Sequence, residues 1–119
     1  MSDQRFRPKE HLRLASEFRR VYDRKRSVSD DRLIVYACEN GRDYNRVGLS
    51  VSRKVGGAVV RNKFRRLYRE AYRQSRDGMP TGMDLVLIPR NAEVPAIEQL
   101  MESLRKLLPQ AAKRLNKPT

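Results

Sequence analysis

From the N-terminus, apolar positions first fall into register at Phe18, Val21 and Tyr22. Their i, i+3, i+4 spacing predicts a short helix, with Ser16 placed to cap it. Leu33-Ile34-Val35-Tyr36-Ala37-Cys38 then reads as a strand with apolar residues on both faces. A polar, glycine-containing connection follows. Arg46 to Ser52 alternates, with Val47, Leu49 and Val51 inward and small residues outward. Gly56-Gly57 breaks the chain before a second helix that runs to about Arg76, where Asp77-Gly78-Met79-Pro80 supplies turn chemistry. Met83 to Ile88 is a third clear strand. Pro95 opens a last helix with Ile97, Leu100, Met101, Leu104, Leu107, Leu108, Ala111 and Leu115 on one face. Pro109 falls inside that pattern and is expected to kink the helix or end it early. The order describes one α/β sandwich, and no repeat or linker divides residues 1–119.

The second helix has an unusual polar side. At about 100° per residue, Val60, Phe64, Leu67, Tyr68 and Ala71 form one stripe. Arg61, Asn62, Arg65, Arg66, Arg69, Arg73 and Arg76 fall opposite it. Solvated helix faces usually mix signs at i,i+4 spacing and gain a few tenths of a kcal/mol per pair. Here Arg61, Arg65, Arg69 and Arg73 repel along that spacing, and Glu70 is the only acid in the stretch. Such a face is costly unless a polyanion meets it.

Charge over the whole chain points the same way. The net charge is +13 in 119 residues, with 20 Arg against 7 Lys. The planar arginine fork suits bidentate phosphate and base contacts. The excess is concentrated in residues 1–26, net +5, and residues 53–76, net +8, with a nearly neutral segment between them. Residues 1–10 read as a basic, irregular tail. No apolar run approaches the ~20 residues of a membrane span, and the N-terminus lacks the apolar core of a signal peptide. The single Cys38 excludes an internal disulfide and fits a reducing cytoplasm.

Catalytic chemistry within the chain finds little support. Two-metal phosphodiester cleavage needs clustered carboxylates, and Asp30-Asp31 reads instead as a turn before the first clear strand. His11 stands alone and reads as a surface residue. No Cys/His spacing suits zinc, and Gly56-Gly57 lacks the Gly-Lys-Ser/Thr ending of a phosphate-binding loop. Cys38, within an apolar strand, reads as a small hydrophobe. No catalytic or metal-binding residue is assigned.

The run Val47-Gly48-Leu49-Ser50-Val51-Ser52-Arg53-Lys54-Val55-Gly56, then Ala58-Val59-Val60-Arg61-Asn62, Arg65-Arg66 and Arg69-Glu70 resembles the protein subunit of bacterial ribonuclease P. Phe18, Val21-Tyr22 and Leu33 to Tyr36 also sit where that family places its first helix and cleft strand. Arg65 stands where the family often has Lys, Gly57 where a polar residue is common, and Tyr22 where a second Phe can appear. None of these departures removes charge from the helix. The resemblance implies a mainly antiparallel four-stranded sheet in αβββαβα order, with a left-handed βαβ crossover into the arginine helix and a short extra strand near Ser27-Val28. It implies that the catalytic RNA subunit and its Mg²⁺ ions cut precursor tRNA at the 5′ end, the protein binding no cofactor itself. Arg61, Asn62, Arg65, Arg66, Arg69 and Arg73 would then contact the RNA subunit. Phe18, Tyr22, Tyr36, Ser50, Arg53 and Lys54 would hold the single-stranded 5′ leader.

The residues agree with this without the family. Single-stranded RNA is held by aromatic stacking in an electropositive groove, and Phe18, Tyr22 and Tyr36 lie near basic residues 19–26 and 53–54. Period two puts Ile34, Tyr36 and Cys38 on one strand face, available to line a groove. Aromatics at helical spacing are also ordinary core, and that reading stays open for Phe18 and Tyr22. Two other classes fit the composition: a structural RNA binder of the small ribosomal type, and a DNA-binding protein with the arginine helix in a major groove. A groove helix offers more amides to base edges than the single Asn62 here, so DNA is not the expected partner.

Overall fold

The computed structural model describes residues 7–116. Helix α1 (Ala15–Asp23) leads into strands β1 (Ser27–Ser29), β2 (Leu33–Glu39) and β3 (Arg46–Leu49), then α2 (Ala58–Ser75), β4 (Met83–Pro89) and α3 (Ile97–Asn116). The strands form one mixed sheet in the order β1-β2-β4-β3. The β1–β2 and β2–β4 pairs are antiparallel, and β3 lies parallel to β4 with α2 as the crossover between them. This is the αβββαβα order, with the short strand at Ser27–Ser29 in place.

Period two divides the sheet into two apolar layers. Leu33, Val35 and Ala37 of β2, with Leu85 and Leu87 of β4, face α2 and α3 in the main core. Phe64, Tyr68, Ala71 and Tyr72 enter it from α2, and Leu100, Leu104, Leu107 and Leu108 from α3. Val86 and Cys38 point to the other face, where Leu12 and Val21 of the N-terminal region cover them in a second, smaller cluster. Burying each large aliphatic side chain contributes about 1.5–3 kcal/mol, so the two-helix face holds most of the fold's stability.

Several local features depart from the sequence expectations. Helix α3 passes through Pro109 without ending there. Proline removes the N–H that would bond the Arg105 carbonyl. Arg105 is exposed, so that carbonyl lies on the water side, while Leu107, Leu108, Ala111 and Leu115 bury the opposite stripe across the proline. The helix starts two residues after Pro95. Ser16 lies inside the first turn of α1 and is not its cap; Glu17 reaches back to the backbone N–H groups of Leu14 and Arg13, at 2.9 and 3.0 Å. Strand β3 ends at Leu49, three residues early. The expected tail is partly structured: Pro8–Glu10 forms a 3-10 turn, and Glu10 is buried against Arg76 at 2.7 Å. Residues 1–6 of that tail lie outside the described residues. Asp30 makes the expected turn, its Oδ1 accepting from the N–H groups of Arg32 and Leu33.

One polar group sits inside the fold. Asp84 on β4 has no exposed surface. Arg46 of the neighbouring β3 holds both its oxygens, at 2.8 and 2.6 Å, and Asn40 donates to Oδ1 at 3.0 Å. Arg20 of α1 also pairs with Oδ2. Burial favours the protonated acid, but Arg46, Asn40 and Arg20 outweigh it and hold the carboxyl below its usual range. A carboxyl depressed on folding contributes stability above its unfolded pKa, near 3.9, which is lost as pH falls through the folded value. Asp84→Ala is therefore expected to cost about 3–5 kcal/mol in urea unfolding at neutral pH, since it strands buried arginine charge. The loss should shrink in acid; an equal loss at pH 7 and at pH 2 would show that packing, not charge, is at stake.

Candidate nucleic-acid interface

Strand register arranges the α1 side of the sheet in rows. The first row is Cys38, Asp84 and Arg46, covered by Arg20. The second is Ser27, Tyr36, Val86 and Gly48. Phe18 lies on Gly48 so closely that a β-carbon there would stand 2.4 Å from the ring. Tyr22 meets Tyr36 edge to face at 5.1 Å between centroids. The third row is Ser29, Ile34 and Ile88. Ser50, one step beyond Gly48, continues it and donates its N–H to the Leu87 carbonyl at 3.0 Å. In this row Ile34, Ile88 and Ser50 remain partly exposed. Helix α1 thus roofs one end of the face and leaves the other open.

The six residues expected at a leader site divide accordingly. Phe18, Tyr22 and Tyr36 come together around the small cluster of Leu12, Val21, Cys38 and Val86, each keeping part of its ring in solvent. They are core and groove wall at once. Cys38, expected to line the groove, is buried beneath α1. Ser50 borders the open row, and exposed Arg53 and Lys54 follow it on a 3-10 turn (Arg53–Val55) that Ser52 caps through the Lys54 N–H. Sequence reasoning missed Gly48, Ile88 and Arg90. The exposed Arg90 continues the open face past Ile88 and donates to Ser29 Oγ at 3.2 Å. The signal for Gly48 was present in the small residues that alternate outward along its strand.

The arginine face of α2 is narrower than the helical projection implies. Arg76 is the C-cap and turns to buried Glu10. Arg73 pairs with Glu70, whose carboxyl the Arg73 and then Gln74 side chains hold down to about 2. Arg65 donates to Asn62 at 3.1 Å, and Arg61 is half-buried with its Nε unpartnered. Arg66 and Arg69 are exposed, with no carboxylate in ion-pair range among the described residues. His11 is half-buried rather than a surface residue, its backbone bridging Val47 beside β3. Burial and then the nearby Arg69 and Arg13 lower its pKa and favour the neutral ring.

Among the described residues no group of three or more His, Cys, Asp or Glu side chains could hold a metal ion, and no helix is long and apolar enough to cross a membrane. Burial raises the Cys38 thiol, which suits its packing role.

Residues 6–112 match the family model described as Ribonuclease P. The chain belongs to the ribonuclease P protein family. It is 40% identical over 92 residues to the ribonuclease P protein component of Alkaliphilus oremlandii, covering 77% of this chain and 81% of that one. It is 50% identical over 82 residues to the component from Clostridium botulinum, 68% and 74% of the two chains. The RNase P protein of Staphylococcus aureus superposes with a TM-score of 0.73 at 32% identity, over 90% of this chain and 98% of that one. The Thermotoga maritima protein gives 0.77 at 35%, over 85% and 96%.

The packing of Phe18 on Gly48 is testable on the protein alone. Gly48→Ala should displace the Phe18 ring while leaving the main core intact, at a cost of about 1–3 kcal/mol. Urea unfolding and the aromatic NMR shifts of Phe18 report it. Unchanged Phe18 shifts would mean that the ring does not rest on the strand.

Proposed function

We propose that this chain is the protein subunit of ribonuclease P. It binds the catalytic RNA subunit through Arg61, Asn62, Arg65, Arg66, Arg69 and Arg73, and holds the 5′ leader of precursor tRNA on the open sheet face with Phe18, Tyr22, Tyr36, Ser50, Arg53 and Lys54. Endonucleolytic cleavage, which leaves the mature tRNA 5′ end, belongs to the RNA and its Mg²⁺. The protein contributes binding, in the cytoplasm, as one domain over residues 1–119.

The observation that carries this reading is the half-covered sheet face. A closed domain would roof its second apolar cluster completely. Here aromatic edges, two isoleucines and a serine stay open, and Arg53, Lys54 and Arg90 flank them. That combination suits unpaired bases over a phosphate backbone. The exposed Arg66 and Arg69 suit a second, structured polyanion, because phosphate binding relieves the repulsion along α2. Family membership removes the ribosomal-type and DNA-binding alternatives.

Reconstitution tests the division of labour. The protein alone should leave precursor tRNA uncut, and adding it to the RNA subunit should lower the Mg²⁺ needed for 5′ maturation. Replacing Arg65, Arg66 and Arg69 together by Ala should keep the fold and weaken assembly. The log–log salt slope should fall by roughly 0.7–0.9 for each phosphate the variant no longer neutralises. Cleavage at the mature 5′ end by RNA-free protein would sink the proposal.

Phe18→Ala separates the leader site from assembly. Stacking is worth roughly 1–3 kcal/mol per base, so affinity for precursor tRNA should drop about tenfold while affinity for mature tRNA barely changes. The ratio is measured on variants shown by circular dichroism to be folded. Equal losses for both ligands would return Phe18 to a purely structural role.

A further inference from the structure

The open row of the sheet does not stop at its last strand. Strand β1 pairs with β2 alone, so its outer edge is unpaired by the sheet. A groove runs along that edge, bounded by Ser27, Val28 and Ser29 on one side and by Gln110, Lys113 and Arg114 of α3 on the other. Ser29 belongs to both features, because it ends the row that contains Ile34 and Ile88. Arg90 caps the junction through Ser29 Oγ.

The groove is electropositive by omission as well as by content. Its lining includes no acid. Lys113 and Arg114 are exposed and make no ion pair among the described residues. Asp30, which follows β1 in the chain, pairs with Lys106 at 3.3 Å. Two free cations beside an unpaired strand edge present hydrogen-bond donors and positive charge, and Val28 is the one apolar residue among those that line the groove. That matches a phosphodiester backbone better than bases, and better than an apolar protein segment.

We infer that the groove between β1 and the last turns of α3 takes the backbone of leader nucleotides that lie beyond those on the open sheet face. The inference rests on the proposed leader site. It extends that site from Ser50 across the sheet, over the β1 edge at Ser29, and onto Lys113 and Arg114. Four strands at about 4.8 Å spacing give a row some 14 Å wide, so only a leader long enough to cross it reaches the groove.

Leader length is therefore the test. Holoenzyme assembled with Lys113→Glu/Arg114→Glu protein is compared with wild type on precursor tRNAs whose leaders run from about 2 nucleotides, too few to cross the row, up to about 16, the upper end of single-strand site sizes. Short leaders should bind both alike. For long leaders the variant should bind about tenfold more weakly near 0.15 M salt, with the salt slope reduced by about 1.4, the value for two single-strand phosphates. A loss that is equal at every leader length, or that appears in assembly with the RNA subunit, would overturn the inference and assign the groove to that subunit. Equal binding at every length would also overturn it and leave the edge to some uncharged partner. The underlying leader site fails separately, if wild-type affinity shows no dependence on the leader at all.

Discussion

The arrangement of the half-covered sheet face depends on Asp84. A carboxylate with no exposed surface is costly to bury, and it persists here because Arg46 grips both oxygens while Arg20 and Asn40 complete its shell. These partners come from β3, from α1 and from the chain after β2. One group therefore ties α1 to one end of the sheet. Glu17 reinforces the tie, accepting from Arg46 at 2.7 Å while it caps α1 through backbone N–H groups. Replacing a buried ion pair with apolar side chains is often neutral for stability, so its value lies in where it fixes things. An apolar contact would let α1 slide along the sheet; the charged one sets its position. That position decides that Phe18 lies on Gly48 and that the row from Ser29 to Ser50 stays open.

Periodicity made most of the scaffold legible. The three clear strands and three helices appear where alternation or 3.6-residue spacing places them, because in each the buried set is local and repeats. The failures have a common origin in distant partners. Pro109 reads locally as a break, yet apolar burial on both sides of it carries α3 through. Asp84 reads as an ordinary polar residue in a strand; its partners Arg20 and Arg46 are 64 and 38 residues away in sequence. Glu10 lies in what reads as an irregular tail, and its burial depends on Arg76 at the far end of α2. The strand at Ser27–Ser29 is too short and polar for a pattern to find, and came from the family resemblance alone. At the candidate site, the aromatic trio was visible, but its double role as core and wall needed the register of β2 against β4.

The arginine helix shows how a sequence face and a physical face differ. Seven polar side chains share the projection, yet local partners thin it. Glu70 takes Arg73, and Glu10 takes Arg76. The remaining charge lies at Arg61, Arg65, Arg66 and Arg69, and Phe64 and Tyr68 are buried on the stripe behind it. Buried aromatic side chains thus back the stretch of helix that carries the outward charge. On the proposed reading, that backing fixes the backbone from which the arginines reach a phosphate, which lowers the ordering cost of binding.

A protein need not carry out the chemistry itself to matter to a phosphodiester reaction, and the charge geometry indicates how. At physiological ionic strength the screening length is about 8 Å, so arginines at separate places act on separate segments of a polyanion. A single basic patch would bind RNA without orienting it. Here the α2 face and the open sheet face are different surfaces on one rigid scaffold, joined through the turn that carries Arg53 and Lys54. On the proposed reading, one surface fixes the protein to the RNA subunit and the other fixes the leader, so the scaffold sets the distance between them. Stacking and phosphate binding are sequence-tolerant, because every base has a π-face and every nucleotide a phosphate. Such a surface positions leaders of differing sequence alike, and leaves discrimination to whatever reads the tRNA body.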